Sequence, residues 1–168
     1  MIKPGLWKLL LIAMFGLSPI ILSSIVQAQQ TQAFERGSLA RIVDQHSGAP
    51  FVVSYWSIDC PPCFKELAMW SRLSQQYPSL SIVLISTDGW EMRHTVAETL
   101  SELSVSNLES WLYAEKNSDK LRFEIDPKWY GELPRTYFYD AAGEAKGVSG
   151  LIQQTKVEAW IKQHQEDL

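Results

Sequence analysis

Two short runs almost free of polar side chains, Phe51-Val52-Val53-Ser54-Tyr55-Trp56 and Ser81-Ile82-Val83-Leu84-Ile85-Ser86, stand on either side of a segment with helical spacing. Runs of that length, rich in β-branched and aromatic residues, read as strands buried on both faces. Between them, from Pro61 to Tyr77, the apolar residues Phe64, Leu67, Ala68, Trp70, Leu73 and Tyr77 follow a helical repeat that Pro78 stops. Strand, helix, strand predicts a parallel pair joined by a right-handed crossover, which places the chain among α/β folds.

The flanking patterns extend that unit. Ser38 caps a short helix from Leu39 to about His46, with Leu39, Ile42 and Val43 as its stripe, and Gly48-Ala49-Pro50 breaks it. After the second strand, Met92, Val96, Leu100 and Leu103 predict another helix. Trp111-Leu112-Tyr113-Ala114 reads as a short strand, and Leu121 to Trp129 as partly helical with an interruption at Pro127. Arg135 to Tyr139 is a strand, Asp140 to Glu144 a turn, and Ala145 to Ser149 its hairpin partner. A last helix from about Gln153 carries Val157, Trp160, Ile161 and His164 on one face. The order βαβα followed by ββα predicts a mixed central sheet flanked by helices on both faces.

Residues 1–28 have the three-part layout of a secretory signal peptide: Lys3 and Lys8, an uncharged and mostly apolar run from Leu9 to Val26, and small residues at Val26 and Ala28. The alternative is an anchor that stays uncleaved, because residues 9–26 approach the length that spans a bilayer. Both readings put the rest of the chain outside the cytoplasm, in the periplasm or its equivalent. Cleavage would remove two lysines and no acid, lowering the net charge from −4 to −6 and leaving 140 of the 168 residues. That is the size of one domain, expected over residues 34–168. The acidic balance, with a pI near 5.4, argues against nucleic acid as a partner.

The two cysteines of the chain are too few for a disulfide scaffold or a four-cysteine zinc site, and they lie together as Cys60-Pro61-Pro62-Cys63. The tetrapeptide joins the end of a buried strand to the start of a helix. There the dipole and the free first-turn N–H groups favour an anion and lower the pKa of a thiol. Cys60 is placed to be the exposed thiolate, and Cys63, one turn in, to resolve a mixed disulfide. The prolines are tolerated because first-turn N–H groups have no intrahelical acceptor to lose. Three other uses compete: a structural disulfide, which would stabilise little across so small a loop; a zinc site drawing on His46, His94 or His164; and a secreted carrier holding Cu(I) between two soft thiolates.

The stretch Phe51 to Cys63 resembles the active-site strand and helix start of the thioredoxin superfamily, and the length and the Cys-Pro-Pro-Cys variant resemble its TlpA-like extracytoplasmic branch. The element order from Ser38 onward agrees with it over nearly the whole mature chain. Gly131-Glu132-Leu133-Pro134-Arg135-Thr136 resembles the family's cis-proline loop. The resemblance implies that Pro134 is cis and that the backbone of Leu133 hydrogen-bonds a client's extended chain. It further implies a cofactor-free protein-disulfide reductase, acting as a monomer without a large substrate pocket. Its clients would be disulfide-bearing proteins such as apocytochromes or copper-site proteins, and a membrane thiol-electron carrier would re-reduce it. Oxidase or isomerase activity is the alternative direction.

The chain also departs from the family. Many thioredoxins carry a buried acid six residues before the first cysteine; here that position is Ser54, so the proton acceptor for Cys63 is expected elsewhere, in solvent or Glu132. Trp56 is a second residue expected to shape the site. Trp70, Trp111 and Trp160 fall at core positions, whereas Trp90 and Trp129 lie near loops where an exposed ring could mark docking. The three histidines have no acid or nucleophile at a spacing that suggests a hydrolase triad.

Overall fold

The computed structural model describes residues 30–164. The apolar run at 9–26 and the expected cleavage site lie outside the described residues. In chain order the elements are β1 (Gln32–Phe34), α1 (Ser38–Gln45), β2 (Phe51–Trp56), α2 (Pro61–Gln76) and β3 (Ser81–Ser86). A single 3₁₀ turn at Trp90–Met92 then leads into α3 (Arg93–Glu102), β4 (Glu109–Tyr113), α4 (Ser118–Ile125), β5 (Arg135–Tyr139), β6 (Ala145–Ser149) and α5 (Gln154–Gln163). The six strands make one sheet in the order β1-β4-β3-β2-β5-β6.

The first four strands of that order run parallel, and the C-terminal hairpin is antiparallel: β5 pairs with β2 and β6 with β5. The expected parallel pair is β2 and β3, in register from Phe51↔Ser81 to Trp56↔Ser86. All six residues of β2 are buried, as expected of a central strand that is apolar except for Ser54. Alternation then sorts its side chains. Val52 and Trp56 join the core beneath α2, α3 and α5, with Leu67, Trp70, Val96, Val157 and Ile161. Phe51, Val53 and Tyr55 join the opposite core beneath α1 and α4, with Ile42, Leu121 and Trp129. The mixed sheet covered on both faces is thus an α/β fold with two hydrophobic layers.

Three local expectations change. Ser38 does not cap α1: Gly37, at φ 80°, occupies that position, and Ser38 is buried with its hydroxyl accepting from Glu35 N at 2.9 Å. β1 was not foreseen. Three residues are too short for a periodic signal, and only their pairing with Trp111–Tyr113 of β4 makes them a strand. The segment before Pro127 is a regular helix, α4, ended at Ile125 rather than interrupted, with Asn117 accepting from Lys120 N as its cap. Among the described residues no helix is long and apolar enough to cross a membrane.

Candidate functional site

β2, β3 and β4 end, and β5 begins, at the same edge of the sheet, so the loops that follow Trp56, Ser86 and Tyr113 meet the loop that precedes Arg135. Cys60 and Cys63 lie there, joined in a disulfide with Cα atoms 5.3 Å apart. Cys60 is the N-cap of α2 and is 8% exposed, whereas Cys63 is fully buried. Cys60 is therefore the more exposed residue of the pair.

Few first-turn donors remain for an anion at this helix start. Pro61 and Pro62 have no N–H, Cys60 N donates to Ser57 O at 3.2 Å, and Cys63 N donates to Cys60 O at 2.9 Å. The dipole persists, but the free donors expected there are largely consumed.

Upstream, the loop that leads into Cys60 is tied to the neighbouring strand end. Asp88, just past β3, accepts from Ser57 Oγ at 2.8 Å and Ile58 N at 3.1 Å, and also from Ser86 Oγ at 2.6 Å. Thr87 N adds a bond to Trp56 O at 2.9 Å. Trp56 itself is fully buried in the same core layer as both cysteines, with no partner for its indole N–H. It packs beneath the site and presents no surface of its own.

On the other side, the Leu133–Pro134 peptide is cis, and Pro134 is buried with its carbonyl accepting from Gly150 N at 2.8 Å. Leu133 is half-buried and packs against both core layers. Its backbone N–H and C=O have no hydrogen-bond partner among the described residues. Glu132 is exposed, and its carboxylate accepts from Tyr130 N at 3.2 Å and from the Ser149 hydroxyl. That hydroxyl bond holds its pKa below the ordinary glutamate value.

A buried acid is nevertheless present, supplied by α2 instead of β2. Glu66, one turn beyond Cys63 on the same helix, is 1% exposed. Ser54 Oγ (3.1 Å) and Thr136 Oγ1 (2.6 Å) donate to its Oε1, and Ile152 N (3.3 Å) donates to Oε2. Burial raises its pKa above the ordinary carboxylate range, although these three donors work against the rise. Residues three apart on a helix are surface neighbours, about 5–6 Å between Cβ atoms. The sequence held a signal for it: Cys63, Glu66, Leu67, Trp70 and Leu73 form one buried stripe, and only Glu66 among them is charged.

Of the two tryptophans expected near loops, Trp90 is 38% exposed, but Trp129 is buried, its ring tilted against Tyr55 and its indole donating to Glu132 O at 2.9 Å. Trp129 braces the cis-proline loop from within; the exposed ring of that loop is Tyr130, at 90%. Among the described residues no cluster of three or more histidine, cysteine or acidic side chains is arranged to hold a metal ion.

No family model matches the sequence, and no curated protein sequence matches it. Solved structures do match. A secreted Mycobacterium tuberculosis disulfide oxidoreductase, described as homologous to E. coli DsbE, is 20% identical with a TM-score of 0.57, covering 71% of this chain and 85% of that one. A thioredoxin-related protein from Neisseria meningitidis serogroup B is 21% identical, with a TM-score of 0.58 and coverage of 71% and 87%. StoA from Bacillus subtilis is 18% identical, with a TM-score of 0.53 and coverage of 68% and 83%.

Proposed function

We propose that this thioredoxin-fold chain is an extracytoplasmic protein-disulfide reductase working through Cys60 and Cys63. The observation that carries the reading is the disulfide at the start of α2, with Cys60 slightly exposed at 8% and Cys63 fully buried, together with a cis-proline loop at the same edge of the sheet. In the reduced protein, the Cys60 thiolate attacks a client disulfide, a Cys60–client disulfide forms, and one client sulfur leaves as a thiol. Cys63 then attacks Cys60 Sγ, and the second client sulfur leaves with two electrons passed to the client. Leu133 N–H and C=O, without partners among the described residues, receive the client's backbone as a short strand would. Glu66 is the proton acceptor for Cys63 in place of the acid missing at Ser54, since its raised pKa suits it to take up and release a proton.

The reductive direction is supported by the first turn of α2. With the N–H groups of Cys60 and Cys63 engaged and two prolines between them, little is left to stabilise a thiolate. A weakly stabilised thiolate keeps the disulfide form favoured and the couple reducing. The protein acts as a monomer, its clients are proteins carrying disulfides, and a membrane thiol-electron donor returns it to the dithiol. Residues 1–28 direct it out of the cytoplasm or anchor it there.

Equilibration with a thiol buffer tests this directly. The expected potential lies near or below that of thioredoxin, about −270 mV, and a value near about −120 mV would reverse the direction to disulfide formation. Reduction of insulin disulfides should be lost in Cys60→Ser, while Cys63→Ser should accumulate mixed disulfides with clients. If no reversible couple appears, the exchange reading fails, and titration with Cu(I) decides whether the thiols serve as a metal carrier.

A further inference from the structure

Beside the redox site, a groove of about 500 Å³ runs between α5 and the β5–β6 hairpin. The register pairs Phe138 with Lys146 and Thr136 with Val148, which sets Phe138, Lys146 and Val148 on the sheet face that α5 covers. Lys156 and Trp160, four residues apart on α5, form the other wall. The Phe138 and Trp160 rings lie 5.0 Å apart and make the floor apolar. The Leu151–Ile152 loop also lines the groove, and Leu151 is 49% exposed. That loop is bonded to the site on both sides: Gly150 N to Pro134 O at 2.8 Å, and Ile152 N to Glu66.

The charge of the groove opposes that of the protein. Lys146 and Lys156 are exposed on facing walls, neither forms an ion pair among the described residues, and no carboxylate lines the groove. In a chain of net charge −4 this is a local cationic rim over an apolar floor, linked to the surroundings of the cysteine pair through the hydrogen bonds of Gly150 and Ile152. We propose that the groove docks a segment of the protein whose disulfide is exchanged, one bearing an apolar side chain flanked by carboxylates. The apolar side chain rests on the floor that Phe138 and Trp160 form, and the two lysines meet the flanking acids. Rim charges of this kind act mainly on encounter rate and partner choice, and their effect fades with salt. This inference rests on the exchange chemistry proposed above and adds the class of partner.

The test uses the reduced Cys63→Ser chain, which stops at the mixed disulfide. The probes are synthetic peptides with one cysteine activated as a pyridyl disulfide. Each carries either Glu-Leu-Glu or Lys-Leu-Lys, moved stepwise away from the cysteine. Cys60 attack forms the Cys60–peptide disulfide and releases pyridine-2-thione, whose absorbance reports the rate. At one or more spacings the acidic peptide should react about tenfold faster than the basic one at low salt, the advantage shrinking as salt is added. Lys146→Glu/Lys156→Glu should invert the preference while leaving the rate with uncharged dithiodipyridine unchanged. Equal rates for the two peptides at every spacing, or an unaltered preference in the double variant, would overturn the groove. Binding of the wild type, but not the double variant, to phosphatidylglycerol vesicles without any peptide preference would overturn it too, in favour of a membrane surface. Failure of dithiodipyridine to react with any form would instead sink the exchange reading itself.

Discussion

Glu66 shows what one residue in the wrong-looking place can do. Its carboxyl is buried on the stripe that α2 packs against the sheet, and three donors converge on it. Because burial raises its folded pKa above the unfolded value near about 4.3, its contribution to stability is present at acid pH and is lost as pH rises through the raised value. Glu66→Gln keeps an acceptor for Ser54 and Thr136 but cannot ionise. Its stability should therefore gain on the wild type from acid to neutral pH, read as denaturation midpoints at both. Glu66→Ala, which leaves three buried donors unpaired, should cost at least about 3 kcal/mol. If Glu66 serves Cys63, Glu66→Gln should also displace the pH profile of insulin reduction, a change that a packing role alone would not produce. In the sequence the cysteine pair was legible because its chemistry depends on spacing and context alone. Glu66 was not, because the acid was sought on β2, and only the packing of α2 on β2 brings a helix residue to Ser54.

At the scale of elements, the loop between α4 and β5 is held by Asp126. Its carboxylate accepts from Lys128 N at 2.8 Å, from the Arg135 guanidinium at 3.0 Å and from Tyr137 Oη at 3.0 Å. The Lys128 N–H is the largest influence keeping its pKa below the ordinary aspartate value. A depressed pKa stabilises the fold above the unfolded value near about 3.9, and that stability is lost as pH falls through the folded value. Asp126→Asn should be less stable than wild type at neutral pH, with the difference closing in strong acid; thermal unfolding across pH checks it. The elements legible in the sequence were those with a full period, such as β2, α2, β3 and the β5–β6 hairpin. β1 and the cap of α1 were not, because their identity depends on partners far along the chain, Trp111–Tyr113 for one and the φ of Gly37 for the other.

For the whole molecule, the redox couple and the stability of the fold are one free energy seen twice. A pair whose potential lies below that of an unstructured dithiol must belong to a protein that is more stable oxidised than reduced, by about 1.4 kcal/mol for each 30 mV. The reductase reading thus predicts a higher denaturation midpoint for the disulfide form, measured with and without dithiothreitol. A midpoint that rises on reduction would argue for an oxidant. The overall architecture was legible because the parallel β2–β3 unit and the closing hairpin admit few arrangements.

The position of β2 in the sheet has a mechanical meaning. A client held at Cys60 pulls on the strand four residues upstream, and that strand is flanked by a six-residue parallel ladder on one side and a five-residue antiparallel ladder on the other. Tension along the chain loads both ladders in shear, so their bonds share the force instead of opening one by one. A client under load would thus be anchored to a strand held by both of its neighbours, and strain would fall on the client's own structure around its cysteine before it reached this fold.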